Sequence, residues 1–288
     1  MMILIIDSNF VCYMFRFAFG GLNFEEKPTA IIFGFLNQLY ALAGRFKTNK
    51  FVFCWDSRKS YRRQRNPNYK SSRREEKTDE DREDDRIAFK QFSDLRQCVL
   101  PKLGFKNNYI QTGCEADDLI ASIVMNNPGD FVIVSSDNDL LQLLDTGLNY
   151  CALYNPITKK QITATDFRKE WGIDPFQWTA VKSIAGCNGD NVPGVPGVGE
   201  KTAVKFITGK LSKGVIYDRI MDAEGAGGLI EETRWFVELP LPGTKKFELQ
   251  ENENFLFNKF VDICEEYGFR SFLAKDRLNG WKERFDLK

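Results

Sequence analysis

Phe131-Val-Ile-Val-Ser-Ser-Asp-Asn-Asp139 is an apolar run of strand length that breaks into polar residues and ends on two carboxylates. Working outward, the same pattern recurs twice: Met2–Ile6 is apolar and stops at Asp7, and Phe51–Trp55 is apolar and stops at Asp56. Between these runs the spacing turns helical. Ala30–Phe46, Ile87–Leu100 (stopping at Pro101) and Ala116–Met125 read as helices, with a short strand expected at Asn108–Gln111. Strands alternating with helices predict an α/β fold on a mainly parallel sheet flanked by helices. In such sheets ligands bind beyond the carboxyl ends of the strands, where Asp7, Asp56 and Asp137 fall. One aspartate after a strand merely opens a loop; three such residues point to a site.

Composition narrows the chemistry. The 288 residues, 43% of them hydrophobic, suffice for a large core with a smaller appendage. The formal net charge is zero, so binding to nucleic acid would rest on local charge segregation. The seven cysteines include no C-x-x-C pair and read as reduced thiols of a cytoplasmic protein. No apolar run approaches membrane-spanning length, and the N-terminus turns acidic too soon for a signal peptide. The absence of histidine excludes Ser–His–Asp and Cys–His catalysis and histidine-ligated zinc.

Two further segments stand out. Arg58, Lys59, Arg62, Arg63, Arg65, Lys70, Arg73, Arg74 and Lys77 crowd one stretch together with Tyr61 and Tyr69, before an acidic run at Asp79–Asp85. Few of these residues suit a core, so the segment is expected to project and to be partly mobile. It is either a solvated loop or a basic arm that grips phosphates while its tyrosines stack on bases. Later, Thr165–Trp171 and Phe176–Ala185 read as helices, followed by Asn191-Val-Pro-Gly-Val-Pro-Gly-Val-Gly199 and a helix at Glu200–Ile207 carrying Lys201 and Lys205. That Gly/Pro turn is either an ordinary tight connection or a helix N-terminus offered to a phosphate. Phe255–Tyr267 reads as an amphipathic helix belonging to the core.

The segment Gly113-Cys-Glu-Ala-Asp-Asp-Leu-Ile-Ala121 places Glu115, Asp117 and Asp118 in a first helical turn. The helix dipole accounts for one acid there, not three. With Asp7, Asp56, Asp137, Asp139 and Asp190 they form a set of carboxylates able to converge. Two such charges ~4 Å apart repel by about 4 kcal/mol at an effective dielectric of about 20. Convergence therefore calls for cations, and oxygen ligands without histidine suit Mg²⁺, with Mn²⁺ able to substitute.

Asp7-Ser-Asn, Trp55-Asp56-Ser, Glu115-Ala-Asp-Asp-Leu-Ile-Ala121, Ser135-Ser-Asp-Asn-Asp139 and Gly189-Asp-Asn-Val-Pro-Gly-Val-Pro-Gly-Val-Gly199 stand in the order found in 5′ nucleases. The chain thus resembles the 5′–3′ exonuclease and flap endonuclease family, which includes phage enzymes and the N-terminal domain of bacterial DNA polymerase I. The resemblance implies a PIN-like α/β domain over about residues 1–160, with a helical arch at about 57–95. It implies a helical DNA-binding region over 161–288, with a helix–three-turn–helix at about 176–207. It further implies a stand-alone, phage-type enzyme, acting in the host cytoplasm in that case, on DNA with 5′ flaps or 5′ ends and on RNA–DNA, in replication and repair.

By the same resemblance, Asp7, Asp56, Glu115 and Asp117 hold a first Mg²⁺, and Asp118, Asp137, Asp139 and Asp190 serve a second or its waters. Tyr61-Arg62 and Tyr69-Lys70-x-x-Arg73 match the arch motif, which puts Lys70 and Arg62 on the scissile phosphate with Arg73 in support. Tyr13, Arg16, Tyr61, Tyr69, Gly197, Gly199, Lys201, Thr202 and Lys205 are the implied DNA contacts. K⁺ is expected on the main-chain carbonyls of Ile184, Ala185, Pro193, Val195 and Val198. Two positions depart from the pattern. Met14 stands where the family often has arginine, with Arg16 two residues on, and Cys187 stands where relatives commonly carry the first aspartate of Gly-Asp-x-x-Asp-Asn. A thiol is a poor ligand for Mg²⁺, so the second site is expected to be one negative charge weaker. The rival readings are a PIN-type ribonuclease and a non-catalytic DNA-junction binder with decayed metal sites.

Overall fold

The computed structural model describes residues 2–16, 18, 21–71, 78–147, 149–225, 228–251 and 254–285. Its strands are β1 (Met2–Asp7), β2 (Asn23–Phe24), β3 (Lys27–Pro28), β4 (Phe51–Trp55), β5 (Asn108–Ile110), β6 (Asp130–Val134), β7 (Cys151–Tyr154) and β8 (Gln161–Thr163). Six form one sheet in the order β5-β4-β1-β6-β7-β8, while β2 and β3 pair as a separate ribbon. All neighbours in the large sheet are parallel except β8, which runs antiparallel to β7.

Alternate side chains of the central strands enter two cores. Leu4, Ile6, Phe53 and Val134 face one, and Ile5, Val52, Cys54 and Ile133 face the other. Burial on both faces is why these strands read as unbroken apolar runs. The chain moves from β1 through β4 to β5 on one side, then crosses to β6 on the other side of β1. The crevice at that reversal receives Asp7 and the residues that follow β4 and β6.

The helix Ala30–Phe46 buries Ile32, Phe35, Leu36 and Leu39 against the first core. Phe260, Ile263, Trp281 and Phe285, from helices Phe257–Glu266 and Lys275–Phe285, join that same core, so the last helices return to the sheet. The second core takes Val181, Ile184, Ala203 and Ile230 from helices Trp178–Ala185, Glu200–Ile207 and Leu229–Val237.

The acidic run, whose composition alone suggested a projecting, partly mobile segment, is helical from its start. Asp79–Asp94 is a regular helix opened by a capping box of Thr78 and Asp81, and it buries Ala88, Gln91 and Phe92. Its first-turn acids complement the helix dipole. It continues through a π turn at Leu95–Val99 and on past Pro101 to Lys102, rather than stopping. The wider turn resets the hydrogen-bond register, so the missing N–H of Pro101 falls in a first turn where none is needed. Arg73, Arg74 and Lys77 lie outside the described residues. No helix among the described residues is long and apolar enough to cross a membrane.

Candidate active site

Asp7 ends β1 and caps the helix Ser8–Phe15. Its carboxylate accepts from the Phe10 N–H at 3.1 Å and from the Ser135 hydroxyl at 2.9 Å. Asp56 follows β4 and accepts from the Ala116 N–H at 2.8 Å, while Asn9 accepts from the Asp56 N–H at 3.0 Å. These contacts dock the N-terminus of helix Ala116–Asn126 against the ends of β1 and β4. Asp117, in the first turn of that helix, lies beside them.

The electrostatics of this group are those of uncompensated charge. Burial pushes the Asp7 carboxyl up to about 7, with Asp56 and Asp137 adding to the shift. Asp117 is raised well above the carboxylate range, first by burial and then by Asp137 and Asp7. Asp56, although it reaches the open cleft, is raised by the surrounding protein and by Glu115. Neutral groups alone donate to Asp7 among the described residues.

Around this group the carboxylates are paired. Glu115 accepts from the Ser60 hydroxyl at 3.1 Å, the Tyr69 hydroxyl at 3.0 Å and the Lys70 ammonium at 2.7 Å. Burial would raise its carboxyl, but Lys70 and then Arg62 outweigh this and hold it below the usual range. Lys70 also lies 3.6 Å from Asp190, and its backbone N–H donates to the Asp190 carbonyl at 3.0 Å. Asp137 accepts from the Asp139 N–H at 2.8 Å, and Asp139 faces the Lys182 ammonium at 3.1 Å. Burial and Asp137 push Asp139 up to about 6 despite that partner. Cys187 is pushed up to about 11, first by burial and then by Asp139 and Asp190, so its thiol is neutral. Among the described residues no three of these side chains stand close enough to hold a metal ion as they are; Lys70 and Lys182 draw several of them to themselves.

Three expected residues are placed otherwise. Arg62 is 2% exposed and meets Asp118 with both terminal nitrogens, at 2.7 and 2.8 Å, while its Nε donates to the Phe236 carbonyl. Asp118 is fully buried and also accepts from the Glu115 and Leu241 N–H groups. Its oxygens are therefore saturated, and the pair braces the fold instead of facing a metal or a phosphate. Tyr69 is 3% exposed and stacks on Phe236, so its ring is closed to a base.

The remaining expected contacts line the surface. A cleft of about 1060 Å³ is walled by Asp56, Glu115, Lys70, Tyr13, Arg63 and Phe89, among others. Tyr13 and Tyr61 are both exposed, with Tyr13 edge-on to Phe92. The ring of Tyr61 lies where a Cβ on Gly113 (φ +90°) would meet it at 2.2 Å, so this approach requires glycine. Arg16 is ion-paired with Asp85 of helix Asp79–Asp94. Asn191 donates to the Asn68 carbonyl and the Ser71 hydroxyl, tying the base of the arm to the Gly/Pro turn.

In that turn the Ile184 carbonyl accepts from the Val195 N–H, the Pro193 carbonyl from the Thr233 hydroxyl and the Val195 carbonyl from the Val198 N–H. Each oxygen retains a second lone pair. Gly199 opens the helix Glu200–Ile207 without a side-chain cap, its carbonyl accepting from the Thr202 and Ala203 N–H groups at 3.0 Å, with Lys201 and Lys205 exposed on the helix and Thr202 half-buried. Sequence reasoning missed Ser60, Asn9, Ser135 and Lys182. Asn9 and Ser135 carried a signal, each standing two residues from a strand-end aspartate inside a quoted motif.

Residues 2–172 match the family of the 5′–3′ exonuclease N-terminal resolvase-like domain. A 5′–3′ exonuclease of Bacillus subtilis is 33% identical over 190 residues, 65% of this chain and 61% of that protein. One from Buchnera aphidicola subsp. Schizaphis graminum is 30% identical over 218 residues, 73% of this chain and 70% of that one. DNA polymerase I of Synechocystis is 26% identical over 95% of this chain, which spans 30% of the polymerase. Among solved structures, the T5 D15 protein co-crystallised with metal ions superposes with a TM-score of 0.68 at 21% identity, covering 99% of this chain and 98% of that one. The Methanococcus jannaschii flap endonuclease-1 gives 0.54 at 14% identity, covering 99% and 91%. Both likenesses concern the fold: a mostly parallel sheet flanked by helices. Motif order, sheet-edge carboxylates and sequence matches agree, and the chain belongs to the 5′–3′ exonuclease family, whose N-terminal resolvase-like domain occupies residues 2–172.

Proposed function

We propose that this chain is a divalent-metal-dependent 5′ nuclease that hydrolyses phosphodiesters near the 5′ ends of DNA, at flaps as well as at ends, and at RNA primers paired to DNA. One observation carries the reading. Asp7 and Asp56 close β1 and β4, Asp117 lies beside them in the first turn of helix Ala116–Asn126, and all three carboxyls are raised by the surrounding protein and by neighbouring carboxylates. A divalent cation removes that repulsion. The oxygen-only donor set suits Mg²⁺ or Mn²⁺, and relatives with the same fold are described with metal ions and with DNA.

Asp7, Asp56, Glu115 and Asp117 would hold the cation, which supplies Lewis acidity and an activated water when bound. Lys70 stands on Glu115. Lys70 also lines the cleft, and with Glu115 holding the cation its ammonium would be available to stabilise charge growing on a phosphate there. The uncapped N-terminus at Gly199, with Gly197, Lys201, Thr202 and Lys205, would take a duplex phosphate at a distance from the chemistry. The carbonyls of Ile184, Ala185, Pro193, Val195 and Val198 remain the proposed K⁺ ligands of that turn. Arg73 keeps its proposed supporting role in the arm.

The test is a Mg²⁺ assay on a 5′-flapped duplex labelled in turn at each end. The reading expects short 5′-derived products at and near the junction, lost on chelation. Binding without turnover would favour a non-catalytic junction protein. Cleavage of single-stranded RNA alone would favour a ribonuclease.

A further inference from the structure

Lys182 is a buried cation beside the acidic residues that the proposed mechanism leaves unused. It lies on helix Trp178–Ala185 and is 6% exposed. Its ammonium stands 3.1 Å from Asp139 and 3.3 Å from Glu200. Cys187 lies within electrostatic reach of both Lys182 and Asp139.

We propose that the Lys182 ammonium is the built-in counter-charge of the Asp137–Asp139–Asp190 group, so that the substrate-free chain holds one divalent cation rather than two. The inference rests on reading the neighbouring Asp7–Asp56–Glu115–Asp117 group as a metal site. Each group meets a lysine: Lys70 stands 2.7 Å from Glu115 and 3.6 Å from Asp190, and Lys182 stands 3.1 Å from Asp139. They differ in how the lysine is held: both partners of Lys70 are carboxylates of the acidic groups themselves, whereas Lys182 is also held by Glu200. Glu200 belongs to another helix and lies outside the acidic group. Lys182 is therefore anchored from two sides, and moving it away would strand a buried charge.

A divalent ion on Asp139 would bind carboxylate oxygen at about 2.0–2.1 Å. The ammonium already lies 3.1 Å from Oδ1 of that carboxylate, so two cations would compete for one group. Cys187 adds no charge in the cation's favour, and its sulfur is soft where the cation is hard. Ammonium and thiol thus act in the same direction: one supplies positive charge, and the other withholds negative charge. This places the stoichiometric difference on two residues of this chain, and it predicts that a further ion enters only with oxygens brought by substrate phosphate.

The test is a Mn²⁺ titration of the full, metal-free chain without DNA, following the electron paramagnetic resonance signal of free Mn²⁺. Wild type is expected to bind one ion, with any second at least about 100-fold weaker. Lys182→Met combined with Cys187→Asp is expected to bind two, the second at least about tenfold tighter than in wild type. Lys182→Arg, which keeps the charge, is expected to stay at one. Circular dichroism melts establish which variants fold. If the double variant does not fold, Cys187→Asp alone decides: its second ion stays weak if Lys182 is the counter-charge. Two ions of comparable affinity in wild type or in Cys187→Asp would overturn the inference while leaving the metal site standing, as would one ion in a folded double variant. No ion bound by wild type would overturn the metal site itself, and the inference with it.

Discussion

Arg62 and Lys70 come from the same basic stretch and do opposite things. Arg62 turns inward to a fully buried Asp118, while Lys70 remains half-buried at the cleft beside Glu115. Charge pattern alone does not separate them, because what draws Arg62 inward is the Phe236 carbonyl and a carboxylate itself held by the Leu241 N–H, contacts more than a hundred residues away in sequence. Arg62→Met should strand Asp118 and cost about 3–5 kcal/mol of stability, the usual cost of breaking a buried pair. Urea unfolding measures it, and a loss under about 1 kcal/mol would show that Asp118 finds other partners. Lys70→Ala should instead slow single-turnover cleavage far more than it weakens flap binding. Lys201→Ala should weaken binding and flatten its salt dependence with little effect on the chemical step. Equal effects of the two lysine changes on both quantities would remove the distinction. The strand-end aspartates were legible because an apolar run closing on a carboxylate is a local pattern; Tyr69, buried under Phe236, carried no local sign of its fate.

At the scale of elements, the Gly/Pro turn was legible, whereas the spacing of residues showed the acidic helix only from Ile87 onward and not from its start at Asp79. Gly and Pro mark turns through their own backbone chemistry. Asp79–Asp94 hides its helical period because only Ala88, Gln91 and Phe92 are buried among surface charges. The turn is also tightly built. A Cβ on Gly194 would come within 2.2 Å of the Ala185 backbone, at the end of helix Trp178–Ala185. Backbone must shift to admit it, at about 1–3 kcal/mol by analogy with other overpacked sites. Gly194→Ala should therefore lower duplex affinity by displacing the helix Glu200–Ile207, while leaving Mn²⁺ binding at the sheet edge unchanged. Parallel loss of DNA and metal binding would mean that the turn and the carboxylate group do not act as separate units.

Across the whole molecule, the sheet's carboxyl end concentrates carboxylates that Lys70 and Lys182 compensate only in part. The parallel core was legible because both faces of each central strand are apolar, whereas the return of Phe260, Trp281 and Phe285 to the first core was not, since a helix's apolar stripe does not name its partner. The charge has a consequence for stability. Asp7, raised from 3.8 to about 7, and Asp139, raised to about 6, take up protons more readily folded than unfolded. Their contribution is full below about 3.8 and is lost as pH rises through about 6 to 7. Glu115, held low by Lys70, works in the opposite sense and loses its contribution as pH falls. Thermal melts without metal should show the aspartate effect as falling stability over that rise, with Mg²⁺ raising the midpoint at about pH 8 and scarcely at about pH 5. An equal Mg²⁺ effect at both would separate the cation from these carboxyls. The central claim, that the sheet-edge carboxylates hold the cation that cuts DNA, is tested most directly by single-turnover cleavage of a 5′-flapped duplex in Mg²⁺ by wild type and Asp56→Ala, with flap affinity measured in Ca²⁺. The account predicts that cleavage falls by at least about a thousandfold while affinity stays within about threefold, since a lost carboxylate removes a metal ligand and no phosphate contact. An Asp56→Ala chain that cuts the flap at close to the wild-type rate would contradict it.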